Sequence, residues 1–326
     1  MSSPEPFLSV LIPCYNVEDY LSTTIRSLER LIDAIDVEFL FIDDGSTDKT
    51  LALIQEFSLR DARVKYVHQD NAGVSEARNQ LLPFISGRYF TLLDGDDYFD
   101  SNAVQYIRSH INDADLLIPN TILERTQAIL WDNHIPAGSY TPTTLFQHST
   151  YFPVTPKLVY RTSILKQHHL RFDTSIRCGE VYDFTLSFLQ HVKKIEVITE
   201  AFYHYVLRPS SASYKPNFQA DMTSLIVLEH IHGIDKKQHP WADSLSNQLA
   251  EYRMVISFTY LKYLHRKVSA DEVLPTIKAV KYNPLFRKVL KTAALKLHPL
   301  LSDRLKALYI WLMPTKLGYQ LLSKLS

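Results

Sequence analysis

Asp94-Gly95-Asp96-Asp97 follows the apolar run Tyr89–Leu93, so carboxylates are bunched where a strand would end. Like charges this close repel unless a cation or hydrogen-bond donors neutralise them. Magnesium or manganese, held by one or two carboxylates and completed by ligand phosphates, is the natural counter-charge. Asp96 and Asp94 are therefore candidate metal ligands, and Gly95 between them permits a tight turn with room for a ligand. The competing reading is an acidic helix-capping turn, because Asp-x-Asp alone is a weak motif. A second acidic strand end, Asp43-Asp44-Gly45-Ser46-Thr47-Asp48, closes the apolar run Val37–Ile42. Asp43 and Asp44 are placed to accept hydrogen bonds from a base or a ribose. Asp48 reads as a helix N-cap.

The elements that must position these acids alternate. Strands are expected at Leu8–Tyr15, Val37–Ile42, Val64–His68, Tyr89–Leu93 and Leu116–Ile118. Helices are expected between them, at Val17–Leu31, from Asp48 to about Leu59, at Gly73–Ile85 and at Asn102–His110. Such alternation implies a doubly wound, mostly parallel Rossmann-like α/β sheet, in which ligands bind beyond the carboxyl ends of the strands. Tyr15-Asn16, Asp43-Asp44, Asp70-Asn71 and Asp94 to Asp97 all fall at those ends. Residues 119–156 lose the rhythm and read as irregular excursions suited to substrate selection. A helix is expected over Glu180–Val192, then two short strands, Ile195–Thr199 and Phe202–Leu207. From about Phe218 the chain reads as successive helices.

Composition narrows the class. Hydrophobic residues make up 46% and charged residues 21%, ordinary values for a globular protein. A net charge of zero argues against nucleic acid as the partner. Two cysteines, Cys14 and Cys178, with no metal-type spacing, fit a reducing compartment. Met1–Phe7 does not read as a secretory leader, and no apolar run approaches the roughly 20 residues that cross a bilayer. No Gly-x-Gly-x-x-Gly, Gly-x-x-x-x-Gly-Lys-Ser/Thr or Gly-x-Ser-x-Gly occurs, which disfavours dehydrogenase, P-loop and hydrolase readings. A diphosphate would have to be met by a metal and side-chain cations.

Together, these segments resemble family-2 glycosyltransferases of the GT-A fold. Ser9 to Asn16 resembles the opening strand with its Pro-x-Tyr-Asn. Ile42 to Asp48 resembles the nucleoside-binding Asp-Asp-Gly-Ser-x-Asp. Asn71 to Asn79 resembles Asn-x-Gly-x-x-x-Ala-Arg-Asn, and Leu92 to Asp97 resembles the Asp-x-Asp-Asp metal motif. The resemblance is firm over roughly residues 8–120 and weaker to about 213. It implies a nucleotide-sugar site at Pro13, Tyr15, Asn16, Asp43, Asp44, Asn71, Gly73, Arg78, Asp94 and Gly95. It also implies a divalent manganese or magnesium ion on Asp96 and Asp94. Tyr203 to Ser211 is similar to Tyr-x-Tyr-x-x-Arg-x-x-Ser, which implies that Arg208 and Ser211 meet the diphosphate. The implied domains are a catalytic domain over 1–215, with a nucleotide-sugar half at 1–118 and an acceptor half at 119–215, and a helical region over 216–326. The implied reaction moves a sugar, with inversion, from a nucleotide-diphosphate donor such as a UDP-sugar. Its acceptor is a hydroxyl of a glycan or lipid-linked glycan, in cell-surface polysaccharide or glycoconjugate synthesis.

The pattern departs at the acceptor-side helix. The family carries Gly-Glu-Asp-x-x-Phe there, and Gly179-Glu180-Val181-Tyr182-Asp183-Phe184 has Val181 in the place of the Asp. Glu180 is the first candidate for the general base. Asp183, three residues on and on roughly the same helix face, is the second. The alternative function is a nucleotide-sugar-binding relative with little catalytic power. From Arg287 onward, Lys and Arg recur against a single acid, Asp303, with Leu305, Leu308, Tyr309 and Leu312 in one stripe. Such a helix suits the inner face of an anionic membrane, with the protein otherwise cytoplasmic. It suits equally a contact with the catalytic domain or with a second copy of the chain.

Overall fold

Apolar runs this short, each followed by an amphipathic helix, bury their residues only by pairing side by side beneath the helices. In the computed structural model, Leu8–Cys14 (β1), Val37–Asp44 (β2), Val64–Gln69 (β3) and Tyr89–Leu92 (β4) do so. They are parallel, in the order β3-β2-β1-β4. Every residue of β1, β2 and β4 is buried, which is why their sequences are mostly apolar. β3 at the edge is mostly exposed or half-buried, with Val64 alone of its residues buried. The structure describes residues 5–124, 126, 128–129, 135–148, 158–207, 223, 226–227, 229–231 and 233–242.

The sheet continues through Val159–Arg161 (β9), Leu116–Leu123 (β6), Ile195–Tyr205 (β10) and Tyr98–Phe99 (β5). β9 is antiparallel to β4 and β6, while β6 and β10 are parallel to each other. Ala128–Ile129 (β7) and Gly138–Tyr140 (β8) add to β6 and β10. The sheet therefore runs mostly in one direction, as expected of a GT-A fold, with one reversed strand, β9, inside it. The helices are Glu18–Glu29 (α1), Thr50–Arg60 (α2), Val74–Leu81 (α3), Ala103–His110 (α4), Pro142–His148 (α5), Thr162–Gln167 (α6) and Glu180–Leu189 (α7). α1, α2 and α4 cover one face, packing Leu21, Ile25, Ile54, Phe57 and Ile107 on Val10, Ile12, Phe39 and Phe41. On the other face, Phe90 stacks on Tyr160 at 5.0 Å and both rings meet Phe184 of α7 edge-on.

Three local expectations are revised. The two strands read at Ile195–Thr199 and Phe202–Leu207 are one strand, bent by register shifts around Ala201. Residues 119–156, read as irregular, hold the end of β6, β7, β8 and α5. Helix α2 begins at Thr50, two residues after the expected cap; Asp48 still accepts the Thr50 N–H at 2.9 Å and takes the Glu18 N–H at 3.1 Å. Neither Cys14 nor Cys178 is in a disulfide. Among the described residues no helix is long and apolar enough to cross a membrane. The successive helices expected beyond Phe218 lie outside the described residues, apart from the helical positions between 223 and 242.

One buried amide ties the two halves of the sheet together. Asn79 of α3 donates to the Phe172 carbonyl and accepts the Phe172 N–H, both at 2.8 Å. Asn79→Ala leaves two buried backbone groups unpaired, at about 1–3 kcal/mol each. Urea unfolding should show a loss of about 2–4 kcal/mol; a change within about 0.5 kcal/mol would refute the role.

Candidate active site

Parallel pairing puts the ends of β1 to β4 on one edge of the sheet, and the loops that follow interlock there. Pro13 is buried near the end of β1, whereas Tyr15 and Asn16 beyond it are exposed. Asn16 donates its N–H to Ser46 Oγ at 3.0 Å and accepts the Thr47 N–H at 2.9 Å, joining the β1 and β2 loops. Asp44 holds the third loop: it accepts the N–H groups of Ala72 and Gly73 at 2.8 and 2.9 Å and the Gln69 amide at 2.7 Å. Asn71 donates to the Asp44 carbonyl at 3.1 Å. Gly45 is required where these loops meet, because a Cβ there would lie 2.6 Å from the Asn71 nitrogen and its φ is +71°. Asp44 is thus a buried organiser of the loops.

Asp43 faces inward beside it. Its Oδ2 meets His68 Nδ1 at 2.7 Å and the Ser46 N–H at 3.3 Å. Its Oδ1 is buried and has no hydrogen-bond partner among the described residues. A buried acceptor without a partner is costly, so this oxygen is suited to a donor on a ligand.

The acidic turn after β4 divides its carboxylates. Gly95 donates its N–H to the Pro13 carbonyl at 3.2 Å, and a Cβ there would lie 2.7 Å from Cys14 Sγ. Only glycine turns this tightly against β1. The Thr24 hydroxyl of α1 reaches the carbonyls of Gly95 and Asp97 at 3.0 and 2.7 Å. Asp97 points into the protein, accepting the Tyr203 hydroxyl at 2.5 Å and the Val206 N–H at 2.8 Å. Burial first, then the charges of Asp94 and Asp96, pushes the Asp97 carboxyl well above the usual range. Burial and nearby acids raise the Cys14 thiol likewise. Asp94 and Asp96 are left half-buried.

Arg78 crosses from α3 to bind two of the acids. Its guanidinium donates to Asp94 Oδ1 at 2.9 Å and to Glu180 Oε1 at 2.8 Å, and it lies over the Phe172 ring at 5.5 Å. Burial disfavours the cation, but Asp94 and Glu180 outweigh it and hold its pKa above the ordinary value. Arg78 is thus a structural cation that fixes Asp94 and the head of α7. On α7, Asp183 is buried and meets His230 Nδ1 at 2.7 Å. Burial raises its carboxyl, against the opposing pull of His230. Val181 is packed inside the protein. Arg208 and Ser211 lie outside the described residues.

The structure thus brings Asp43, Asp44, Asn71, Gly73, Arg78, Asp94, Gly95 and Glu180 into one linked set. Sequence reasoning assigned no role to His68, Thr24, Asn79, Tyr203 or His230. Thr24, a hydroxyl on the buried stripe of α1, was the most visible of these; the others find their partners only through folding.

A doubly wound sheet that gathers acids around an Asp-x-Asp turn defines an α/β protein of the GT-A type. The segment over residues 9–168 belongs to the family described as Glycosyl transferase family 2. The uncharacterized glycosyltransferase EpsJ of Bacillus subtilis is 28% identical over 65% of this chain and 65% of its own length. The poly(ribitol-phosphate) β-N-acetylglucosaminyltransferase TarS of Staphylococcus aureus is 24% identical over 71% of this chain and 42% of its own length. The chain therefore spans less than two thirds of either relative. The crystal structure of S. aureus TarS 1–349 with UDP-GlcNAc superposes with a TM-score of 0.73, at 21% identity, covering 94% of this chain and 89% of that one. The mannosyltransferase PcManGT of Pyrobaculum calidifontis, solved with GDP-Man and Mn2+, superposes with a TM-score of 0.56 at 14% identity, over 96% of this chain and 89% of that one.

Because Arg78 is buried between two acids, Arg78→Met should destabilise the protein by about 3–5 kcal/mol in urea unfolding. Arg78→Lys should recover only part of this, since an ammonium lacks the planar fork. Wild-type stability of Arg78→Met would show that the two ion pairs are not holding the site.

Proposed function

We propose that this protein is an inverting glycosyltransferase that uses a nucleotide-diphosphate sugar, with a UDP-sugar as donor. The observation that carries the reading is the division of the acidic turn. Asp97 is turned inward onto Tyr203, while Asp94 and Asp96 stay half-buried at the strand edge where the parallel sheet binds ligands. Among the described residues no group of three or more His, Cys, Asp or Glu side chains is arranged to hold a metal ion by itself. Two hard carboxylates nevertheless fit a manganese or magnesium ion whose other ligands are phosphate oxygens. Asp96, with Asp94, would hold it, and it would supply positive charge to offset the leaving diphosphate.

The chain's own residues divide the remaining work. Asp43 Oδ1 is placed to accept a hydrogen bond from the nucleoside, with Pro13, Tyr15, Asn16, Asn71 and Gly73 around it. Arg208 and Ser211 are assigned to the diphosphate. The acceptor is a hydroxyl of a glycan or lipid-linked glycan in cell-surface polysaccharide or glycoconjugate synthesis. It attacks the anomeric carbon from the side opposite the nucleotide, and its proton passes to a basic group at the head of α7, where Glu180 and Asp183 are the two carboxylates. Residues 1–118 are assigned to the donor half and 119–215 to the acceptor half; the helical region expected over 216–326 lies mostly outside the described residues. The UDP-GlcNAc named with TarS supports the donor class, and the Mn2+ named with PcManGT supports the metal.

Asp96→Ala should keep the fold and lose UDP release from UDP-GlcNAc or UDP-glucose by about 10²-fold or more. Full activity of that variant with chelator present would remove the metal-dependent reading. The basic segment from Arg287 supports a cytoplasmic protein held peripherally on the inner face of the membrane. The full chain should co-sediment with anionic vesicles at low salt and be released by high salt. If it stays in the supernatant at low salt, a contact between copies of the chain takes the place of the membrane contact.

A further inference from the structure

Glu180 and Asp183 begin the same helix but are held differently. Glu180 Oε1 is committed to Arg78 at 2.8 Å. The Asp183 side chain is 6% exposed and meets Nδ1 of His230 at 2.7 Å, while the His230 side chain is 46% exposed. A carboxylate on Nδ1 selects the tautomer whose Nδ1 carries the hydrogen, which leaves the lone pair on Nε2 facing outward. Nε2 lies 3.8 Å from Asp173 Oδ2, too far for a hydrogen bond. Asp183 and Asp173 are the charged side chains that face this ring among the described residues. The ring is also held in place. Thr223, seven residues before His230, accepts the N–H groups of Arg177 and Cys178 at 2.8 and 3.2 Å, just ahead of α7. From Asp183 it is three residues back to Glu180, which reaches Asp94 through Arg78.

We propose that Asp183 and His230 form the proton-accepting pair of the transfer reaction, with His230 Nε2 taking the proton of the acceptor hydroxyl. The inference rests on the glycosyl-transfer reading above. The acceptor O–H bond breaks and its proton goes to Nε2. The oxygen forms the new bond to the anomeric carbon. The bond from that carbon to the diphosphate oxygen breaks, and its electron pair leaves with the nucleotide. The imidazolium formed lies between Asp183 and Asp173, so the charge it gains is offset as the proton moves.

His230→Asn separates chemistry from docking, because an asparagine amide can still donate to Asp183 while the titrating nitrogen is gone. UDP release from UDP-GlcNAc and UDP-glucose, with manganese and water as acceptor, is followed across about pH 5.5–8.5. For His230→Asn, kcat should fall by about 10²-fold or more. Its donor KM and Tm should stay close to wild type, and the acid limb of the wild-type pH–rate profile should disappear. Activity within about threefold of wild type, with the acid limb intact, overturns the proposal and leaves glycosyl transfer standing. A lower rate with a lower Tm and an unchanged acid limb marks a docking role and overturns it equally. If the wild type is neither stabilised by either donor nor releases UDP from it, the glycosyl-transfer reading falls and this inference falls with it.

Discussion

A buried guanidinium cannot stand alone, and Arg78 makes its two partners dependent on each other. Asp94 belongs to the turn after β4 and Glu180 to the head of α7, and this cation joins them. α3 is consequently the hub of the site. Its start is held by Asp44 through the Ala72 and Gly73 N–H groups, its middle carries Arg78, and next to that Asn79 grips the backbone at Phe172. Ser75 adds a hydroxyl to the Ile176 carbonyl at 3.3 Å. One short helix thus sets the spacing between the acidic edge of the sheet and α7.

The acids around this hub differ by what neutralises them. Asp44 is satisfied by backbone N–H groups and an amide, and Asp97 by a phenol and a backbone N–H. Both are closed inside the fold, and both set loop geometry. Asp43 is half satisfied, with one oxygen on His68 and Ser46 and the other without a partner among the described residues. Asp94 gives one oxygen to Arg78 and remains half-buried at the edge. Incomplete neutralisation marks the residues that a ligand or cation completes, because a native fold rarely leaves buried acceptors unpaired without a use.

Much of this was legible in the sequence, because strand and helix periods reflect burial. β1, β2 and β4 are mostly apolar because both faces are covered, and the acids at their ends follow from parallel topology. Which acid faces inward was not legible. Asp96 and Asp97 are neighbours of one type, and only the arrival of Tyr203 from β10 separates their roles. β9 escaped notice because a strand of three residues carries no period. The bend in β10 read as a break because Thr199 and Glu200 interrupt its apolar pattern, although β6 continues to pair across it. Arg78 was visible as a motif residue, but its burial between two acids depends on contacts 16 and 102 positions away.

Helix geometry explains why the exchange at Val181 alters α7 without unfolding it. Successive residues are turned by roughly 100° about the helix axis, so 180 and 183 lie within about 60° of each other while 181 points well away from both. Val181 is buried, and an apolar side chain there packs without needing a partner. A carboxylate at 183 is roughly 3 Å further along the axis than one at 181 and approaches the site from another side. Asp183 is too deeply enclosed to reach outward by itself, with its side chain 6% exposed. The His230 ring bridges that enclosure, with one nitrogen on the acid and the other at the surface. The second acid of this helix is therefore tied to His230, a residue beyond β10.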